Sequence, residues 1–376
     1  MKIVIILPTY NEKGNIGELI PILEEEIFPM IKNHEMNILV ADDSSPDGTV
    51  DEVRELMKKY KNIDLNIGVK KGLGAAYIRG ITYAIDKMKA DIIFEMDADG
   101  QHDPKKIPEF LKKIEEGYDM VIGNRYSDGG SIPPNWPIKR KIFSVFGNLL
   151  VRSILMRFNI HDWTGGYRAL KKEVFLKEKS KLGPFPSYTF QIAFLHKAVQ
   201  DGFKIGEVPF HFTDRTLGKS KFPAVEYIYN ALKYVVIARI LELKRFIKFL
   251  VVGGLGFVIN AIALRLLVES YNWHPASANL AGAVLAIFSN YNFNNIWTFK
   301  EETSKGILSY LTKLVGFYIS SSIGVVLIQT GTIYLGTHLI GRTYYFIYFL
   351  VGTGFLLIWN FTMYRKVIWR KKTQQL

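Results

Sequence analysis

The chain has 376 residues, enough for two or three domains, and its 48 Lys and Arg against 35 Asp and Glu give a net charge of +13. This excess favours an anionic partner: a nucleic acid, a phosphate ligand or an anionic lipid. The chain has no cysteine, which excludes disulfides and thiolate chemistry. The N-terminus runs straight into a predicted strand with no signal peptide, so we expect the first part of the chain to stay in the cytoplasm.

Strands and helices alternate through about the first 240 residues. Runs rich in apolar and β-branched residues predict strands at 3–7, 37–41, 63–69, 91–94 and 120–123, with amphipathic helices between them. Such alternation indicates right-handed βαβ units and a parallel sheet. Residues 207–210 are predicted to form an edge strand, because Pro209 cannot donate a hydrogen bond to a ladder.

Polar clusters follow three of these strands, at residues 9–12, 42–43 and 97–101. Ligands of parallel sheets bind at the carboxyl ends of the strands, so the clusters predict one site at one sheet edge. Asp97 and Asp99 are spaced so that both carboxylates can share a face and hold Mg²⁺ or Mn²⁺. An ordinary acidic turn is the alternative for this pair.

Three other segments have a chemical interpretation. Gly72 and Gly74 lack the remaining residues of a phosphate-binding loop, which leaves close backbone packing near the sugar or nucleotide, or a plain helix start. The basic, aromatic stretch 135–144 leads into an apolar helix at 143–158, which favours a membrane-surface element over a solvated basic face. The basic loop 215–221 suits a lid over a diphosphate.

Six short motifs occur in one order along this half. They are Pro-Thr-Tyr-Asn-Glu at 8–12, Asp-Asp-Ser-Ser-Pro-Asp at 42–47, Asp-Ala-Asp-Gly-Gln-His at 97–102, Asn-Arg-Tyr at 124–126, Thr-Gly-Gly-Tyr-Arg at 164–168 and Arg-x-x-Gly-x-Ser-Lys at 215–221. Together they resemble the family-2 GT-A glycosyltransferases of the dolichol-phosphate mannose and polyprenyl-phosphate sugar synthase group. The resemblance implies an α/β GT-A fold, Rossmann-like with a mainly parallel sheet, over the domain 1–221.

The resemblance also assigns roles to individual residues. It places a divalent metal, Mg²⁺ or Mn²⁺, on Asp97, Asp99 and Gln101, and the lipid phosphate on Arg125, Arg140 and Ser144. Asp99 and Arg125 would be the catalytic residues. The nucleotide-sugar site would comprise Pro8, Tyr10, Glu12, Ala41, Asp43, Asp97, Ala98, Asp99, Gln101, Arg125, Arg215 and Lys221.

Two departures from related sequences bear on function. Ala193 stands where many relatives carry an acid, and the Gln-x-x-Arg-Trp signature of processive synthases is absent, which favours a single transfer. A lipid monophosphate, whose second pKa is about 6, needs no general base. Arg125 and Arg140 would offset repulsion between the two phosphate groups, and in-line displacement would give a β-linked product from an α-linked donor.

The remaining residues predict a membrane domain. Residues 222–245 are basic and amphipathic and predict interfacial helices, and the domain 246–376 contains four apolar segments at about 246–268, 276–299, 311–335 and 344–369. Buried helices of a soluble domain are the alternative. Lysine and arginine are concentrated at residues 300–313 and 365–372, which predicts a multi-pass protein with both termini in the cytoplasm.

This domain also contains a repeat with an offset of 70 residues, which pairs Asn290-Tyr291 with Asn360-Phe361 and indicates two helical hairpins. The pattern, with Lys248-Phe249-Leu250-Val251-Val252-Gly253-Gly254, is similar to GtrA-like domains. For Asn290, Asn292, Asn294 and Asn295 we favour hydrogen bonds between helices over a transport site. For Gly253, Gly254 and Gly256 we favour close helix packing over a ligand site.

The sequence therefore predicts a membrane-anchored, metal-dependent, inverting glycosyltransferase at the cytoplasmic face of the cell membrane. Its partners would be GDP-mannose, dolichyl or polyprenyl phosphate and the lipid bilayer. An enzyme of the same fold that uses UDP-glucose is one alternative, and a flippase for lipid-linked sugars with a recruiting soluble domain is another. Nucleic-acid binding is not favoured, because the basic excess lies beside the apolar segments and no nucleic-acid motif occurs.

Overall fold

The computed structural model describes residues 1–183, 185, 187, 189–214, 224–303 and 306–369. The chain divides into two compact units, Met1–Arg239 and Ile240–Leu376. The first unit therefore ends later than the predicted boundary at residue 221. The basic-loop residues Arg215 and Lys221 lie outside the described residues.

The first unit is built on a mixed sheet with the strand order β3-β2-β1-β4-β6-β5-β7. The strands are β1 Lys2–Thr9, β2 Glu35–Asp42, β3 Ile63–Ile67, β4 Ile92–Glu95, β5 Met120–Asn124, β6 Arg168–Lys171 and β7 Ile205–Pro209. Only β6 runs antiparallel to its neighbours, β4 and β5. The mainly parallel sheet is thus confirmed, as is the edge position of the strand that contains Pro209.

Helices cover both faces of this sheet. They are α1 Asn15–Pro21, continued by a π-helical turn to Ile27, α2 Thr49–Lys59, α3 Leu73–Asp86, α4 Ile107–Glu115, α5 Ile138–Leu155, α6 Lys172–Leu182 and α7 Thr189–Gln200. In β1, Ile3 and Ile5 face the core on one side of the sheet, whereas Val4 and Ile6 face the core on the other. Burial on both faces explains why this strand is an uninterrupted apolar run.

A single helix, α8, spans Ala224–Glu269, where we predicted interfacial helices followed by a separate first span. The stretch contains no proline, and its first glycine is Gly253, so nothing in it ends a helix near residue 245. Ala231 and Val235 are buried in the core of the first unit, and the Tyr234 hydroxyl lies 2.8 Å from His196 Nδ1. The start of this helix is therefore part of the first unit's packing.

The second unit confirms the predicted repeat. Helix α9 spans Pro275–Phe293 and α12 spans Tyr345–Met363, and the π-helical turns that follow them span Asn294–Thr298 and Tyr364–Ile368. Every one of these bounds is shifted by 70 residues between the two copies. The remaining helices are α10 Ile307–Ile323, which continues through a π-helical segment into α11 Gly331–Leu339.

Aromatic side chains form the core of this unit. Phe299 and Trp369 occupy equivalent positions in the two repeats, and their rings stack with centroids 4.6 Å apart. The indole Nε1 of Trp369 donates to Asn295 Oδ1 at 3.0 Å, so this asparagine makes the kind of helix-to-helix hydrogen bond that we predicted.

The glycines of α8 differ from one another in their surroundings. A Cβ added at Gly256 would lie 2.3 Å from Asn290 Oδ1, so the helices pack closely there as predicted. Gly253 and Gly254 have no atom within 4 Å of such a Cβ, so the prediction of close packing is wrong for these two.

Among the described residues, Glu226–Glu269 and Ile307–Ile328 are long and apolar enough to cross a membrane. In the most apolar 18-residue stretch of each helix, only 18% and 17% of the residues, respectively, are buried. The core helix of a soluble protein would be mostly buried, so these helices favour a membrane over a soluble core. Helices α9 and α12 occupy the positions of the other two predicted segments.

Close packing at the start of α3 resolves the interpretation of Gly72 and Gly74. Gly72 precedes the helix with a φ of 100°. A Cβ added at Gly74 would lie 2.5 Å from the carbonyl oxygen of Phe185 and 2.6 Å from Phe190 Cβ. Both atoms are fixed in the fold, so glycine at 74 permits close packing of α3 against Phe185 and Phe190. The predicted nearness to a sugar or nucleotide stays a prediction.

We therefore expect Gly74→Ala to lower the free energy of unfolding by about 1–3 kcal/mol, because the methyl group must displace backbone. Gly147→Ala in α5 is the matched control, since a Cβ there meets nothing within 4 Å. The control should stabilise the helix by up to about 1 kcal/mol. Denaturant unfolding of the full-length protein in detergent measures both, and equal stability of the two variants would contradict the prediction.

Candidate active site

Strand register places the first two polar clusters side by side. In the parallel pair of β1 and β2, Pro8 lies opposite Ala41 and Thr9 opposite Asp42. The Thr9 hydroxyl donates to Asp42 Oδ2 at 2.7 Å, and the backbone N–H of Asp43 donates to the Thr9 carbonyl at 3.0 Å. Ala41 is fully buried, so it packs within the core at this edge and exposes no surface to a ligand.

Asp43 and Tyr10 each face a cation at this edge. The Arg79 guanidinium donates to Asp43 Oδ1 at 2.8 Å and to the Asp42 carbonyl at 3.0 Å. Burial raises the pKa of the Asp43 carboxyl, and the ion pair with Arg79 partly opposes that rise. The Lys70 ammonium lies 3.4 Å from the centre of the Tyr10 ring. The edge therefore combines an aromatic face with carboxylate and cationic groups, which can bind a base, hydroxyls and phosphates.

The turn after β4 carries the predicted metal residues. The buried Tyr77 hydroxyl donates to Asp97 Oδ1 at 3.2 Å, and the Asp97 N–H donates to His102 Nδ1 at 3.0 Å. Burial lowers the pKa of His102 to about 4, so this imidazole is neutral and can accept that bond. Asp99 Oδ1 accepts the Gln101 N–H at 3.1 Å. These bonds fix the shape of the turn.

These residues fit a hard divalent cation. Asp97 and Asp99 supply carboxylate oxygens, and the Asp97 side chain is 32% exposed. The Gln101 amide nitrogen donates to the Thr213 carbonyl at 3.2 Å, so its oxygen is the atom that can face a cation. Within the described ranges no group of three His, Cys, Asp or Glu side chains could hold a metal. A cation here would therefore complete its coordination with the amide and with substrate oxygens.

Arg125 follows β5 and is held by a buried carboxylate. Its Nε and Nη2 donate to the two oxygens of Asp162 at 2.7 and 2.9 Å, and Nη2 also donates to the Thr164 hydroxyl at 2.7 Å. The Asp162 side chain is fully buried and that of Arg125 is 10% exposed. Burial alone would lower the pKa of Arg125, but the Asp162 carboxylate raises it, so the guanidinium stays charged.

The other two predicted lipid-phosphate residues, Ser144 and Arg140, each lie against an aromatic side chain. The Tyr126 hydroxyl lies 2.7 Å from Ser144 Oγ, and the Arg125 guanidinium lies 5.1 Å from the Tyr126 ring. Arg140 stacks on Trp136 at 3.7 Å. The structure thus brings Arg125 and Ser144 close to the same tyrosine and places Arg140 on an aromatic platform.

The sequence analysis missed the partners of two arginines and could not place Ala193. Asp162 lies 37 residues from Arg125, and nothing in a single sequence pairs them. Glu95 and Arg168 lie opposite each other in β4 and β6, fully buried at the centre of the sheet, and burial raises the pKa of Glu95 to about 7. Ala193 is buried in the core of the first unit, so an acid at this position would also have been buried.

Comparison with known proteins agrees with this architecture. Residues 4–177 match the model of glycosyl transferase family 2, and residues 248–369 match the GtrA/DPMS transmembrane domain. A dolichol-phosphate mannosyltransferase from Pyrococcus furiosus is 34% identical over 98% of this chain and 99% of its own length. The chain belongs to glycosyltransferase family 2. It is a glycosyltransferase with a GT-A-like domain and a GtrA/DPMS membrane domain, which makes it a membrane protein.

Two further comparisons match only part of the chain. The polyprenol monophosphomannose synthase of Mycolicibacterium smegmatis is 37% identical to this glycosyltransferase over 58% of the chain and 79% of its own length. Glucosyl-3-phosphoglycerate synthase from Mycobacterium tuberculosis is a solved structure with a TM-score of 0.46 and 17% identity, which covers 63% of this chain and 79% of its own.

The Arg125–Asp162 pair should be strongly coupled. Asp162→Asn or Arg125→Met alone leaves one buried charge unpaired and should cost about 3–5 kcal/mol of unfolding free energy. The double variant should lose less than the sum of the two, because no charge is then left unpaired. Denaturant unfolding of the four proteins measures the coupling. The exposed pair Arg54–Asp51 is the control and should give additive effects, and additivity at Arg125–Asp162 would disprove the coupling.

Proposed function

We propose that this glycosyltransferase transfers a single hexose, with mannose favoured, from GDP-mannose to dolichyl or polyprenyl phosphate. The observation that carries the proposal is the placement of Arg125, whose charge is fixed by Asp162 beside Tyr126 and Ser144. A preformed cation suits an acceptor that arrives as an anion. The relatives support the sugar and acceptor, since both curated names join mannose to an isoprenoid monophosphate.

On the donor side, Tyr10, Glu12 and Asp43 with Pro8 would bind the base and ribose. Asp97, Asp99 and Gln101 would hold Mg²⁺ or Mn²⁺ against the diphosphate, with Ala98 between them in the turn. A bound divalent ion would supply Lewis-acid stabilisation of the leaving diphosphate. Arg215 and Lys221 would clamp the donor from the basic loop.

On the acceptor side, the residues of this chain need to screen charge and align the nucleophile. The lipid monophosphate is already an anion near neutral pH, so no general base is required. Two guanidinium nitrogens of Arg125 donate hydrogen bonds, Nε to Asp162 and Nη2 to Asp162 and Thr164, which fixes the plane of the group. Arg140 and Ser144 would add donors to the acceptor phosphate. Displacement in line at the anomeric carbon would invert its configuration and give a β-linked product.

Helix α5 supports a reaction at a membrane surface. Apolar side chains of this helix are exposed, among them Ile138, Ile142, Phe143 and Phe146. These four lie in its first half, as does Arg140. Exposed apolar side chains next to basic residues are typical of interfacial helices. We infer that α5 lies on the cytoplasmic leaflet of the cell membrane. The second unit would cross that membrane in four spans, with both termini in the cytoplasm.

The donor and acceptor are tested by incubating the full-length protein in detergent with polyprenyl phosphate and radiolabelled GDP-mannose or UDP-glucose. Label should enter the lipid fraction from GDP-mannose, and NMR of the product should show the β anomer. Transfer from UDP-glucose but not from GDP-mannose would show that the donor is UDP-glucose. An α anomer would exclude single in-line displacement, and failure with both donors would contradict the proposed reaction.

Asp99→Asn tests the metal assignment. The amide keeps the oxygen that accepts the Gln101 N–H but loses the charge, so folding should persist. Transfer should fall by at least about 100-fold, because metal stabilisation of the leaving group is worth several kcal/mol. Binding of Mn²⁺, followed by electron paramagnetic resonance, should weaken in parallel. Asp86→Asn, at the exposed end of α3, is the matched control. Full activity of Asp99→Asn, or of the wild type in excess chelator, would disprove the assignment.

A further inference from the structure

The segment Phe212–Asp214, which follows β7, touches both halves of the candidate site. Thr213 is fixed to the turn that carries the metal residues. Its hydroxyl donates to the Gly100 carbonyl at 2.9 Å, and its carbonyl accepts the Gln101 amide at 3.2 Å. The segment is thereby anchored at the donor side of the site.

Asp214, the next residue, contacts the acceptor side. Its Oδ1 accepts the Trp136 indole N–H at 2.7 Å, and its Oδ2 accepts the Asn135 amide at 3.0 Å. Arg140 Nη1 lies 3.6 Å from the same Oδ1, and its guanidinium lies 3.7 Å from the Trp136 ring. The firm partner of the carboxylate is therefore Trp136, which is the platform beneath Arg140.

Phe212 completes the link between the two sides. Its ring centre lies 5.2 Å from the Arg125 guanidinium and 5.7 Å from the Trp136 ring. The backbone N–H of Phe212 donates to the Ser131 carbonyl at 2.9 Å, which holds the segment against the chain that leads into α5. One tripeptide thus contacts the metal turn, Arg125 and the platform of Arg140.

We propose that Asp214 is a positioning residue for the acceptor phosphate, which it serves by holding Trp136 beneath Arg140. The inference rests on the proposed function, because it assumes that Arg140 receives an isoprenoid phosphate. The Arg140 side chain is 45% exposed, and without its platform it would have to be ordered when the phosphate binds. The bonds from Asp214 to Trp136 and Asn135 order the site in advance, which reduces the entropic cost of binding.

Substitutions can separate the hydrogen bond that Asp214 accepts from Trp136 from the effect of its charge. Asp214→Asn keeps an oxygen that can accept the Trp136 N–H, whereas Asp214→Ala removes it. Trp136→Phe keeps an aromatic ring for stacking but removes the N–H. If Asp214 acts through Trp136, Asp214→Ala and Trp136→Phe should have similar effects, the double variant should be little worse than either, and Asp214→Asn should be close to the wild type.

The test is calorimetric titration of the full-length protein in detergent with farnesyl phosphate, a short isoprenoid monophosphate, without any donor. We expect Asp214→Ala and Trp136→Phe to weaken binding about tenfold, as loss of a partly buried hydrogen bond would, and Asp214→Asn to change it by less than about threefold. Asp86→Ala is the control for removal of an exposed acid and should bind as the wild type does.

The possible outcomes distinguish the positioning role of Asp214 from the proposed acceptor on which it rests. Unchanged binding by Asp214→Ala, with a wild type that binds, would overturn the positioning role alone. Equal loss in Asp214→Asn and Asp214→Ala would also overturn it, because the charge and not the hydrogen bond would then matter. A wild type that does not bind farnesyl phosphate would overturn both the acceptor assignment and the inference.

Discussion

A fully buried carboxylate that holds one arginine is the interaction on which the site depends. The proposed reaction joins a phosphate monoester to the sugar of a nucleotide diphosphate, so two anions must approach each other. A flexible surface cation would have to be ordered and desolvated at each encounter. Here the ordering and desolvation of Arg125 take place when the protein folds, because Asp162 accepts two hydrogen bonds from its guanidinium before any substrate arrives. Arg125 can then meet an anion without reorganisation.

The same reasoning applies to the acidic turn on the other side. Asp97 is held by Tyr77 through its side chain and by His102 through its backbone, and both partners are buried. The neutral imidazole of His102 accepts a bond without adding a positive charge that would compete with a cation. Each half of the site therefore consists of charged groups at the edge of the sheet, supported by buried groups that fix their geometry.

Local patterns were sufficient to predict most of the sheet and which strand ends meet at its edge. Strands such as β1 and β2 are apolar runs that end in polar residues, and the topology of parallel strands brings those ends together. Partners distant in sequence were not predictable, as Asp162 with Arg125 and Asp214 with Trp136 show, because no local pattern links residues 37 or 78 positions apart. The continuous helix α8 was missed for the opposite reason. A change from amphipathic to apolar composition suggested a boundary, but no helix-breaking residue stands there.

The stack of Phe299 on Trp369 has a consequence for how the membrane unit is synthesised. Trp369 follows its partner by 70 residues, and its indole also provides the hydrogen-bond donor for Asn295. The ribosome therefore releases the first hairpin well before the ring that closes its aromatic core exists. Until then, Phe299 and Asn295 do not have the contacts that Trp369 makes with them in the complete unit. The aromatic core therefore depends on both repeats, because each contributes one ring of the stack.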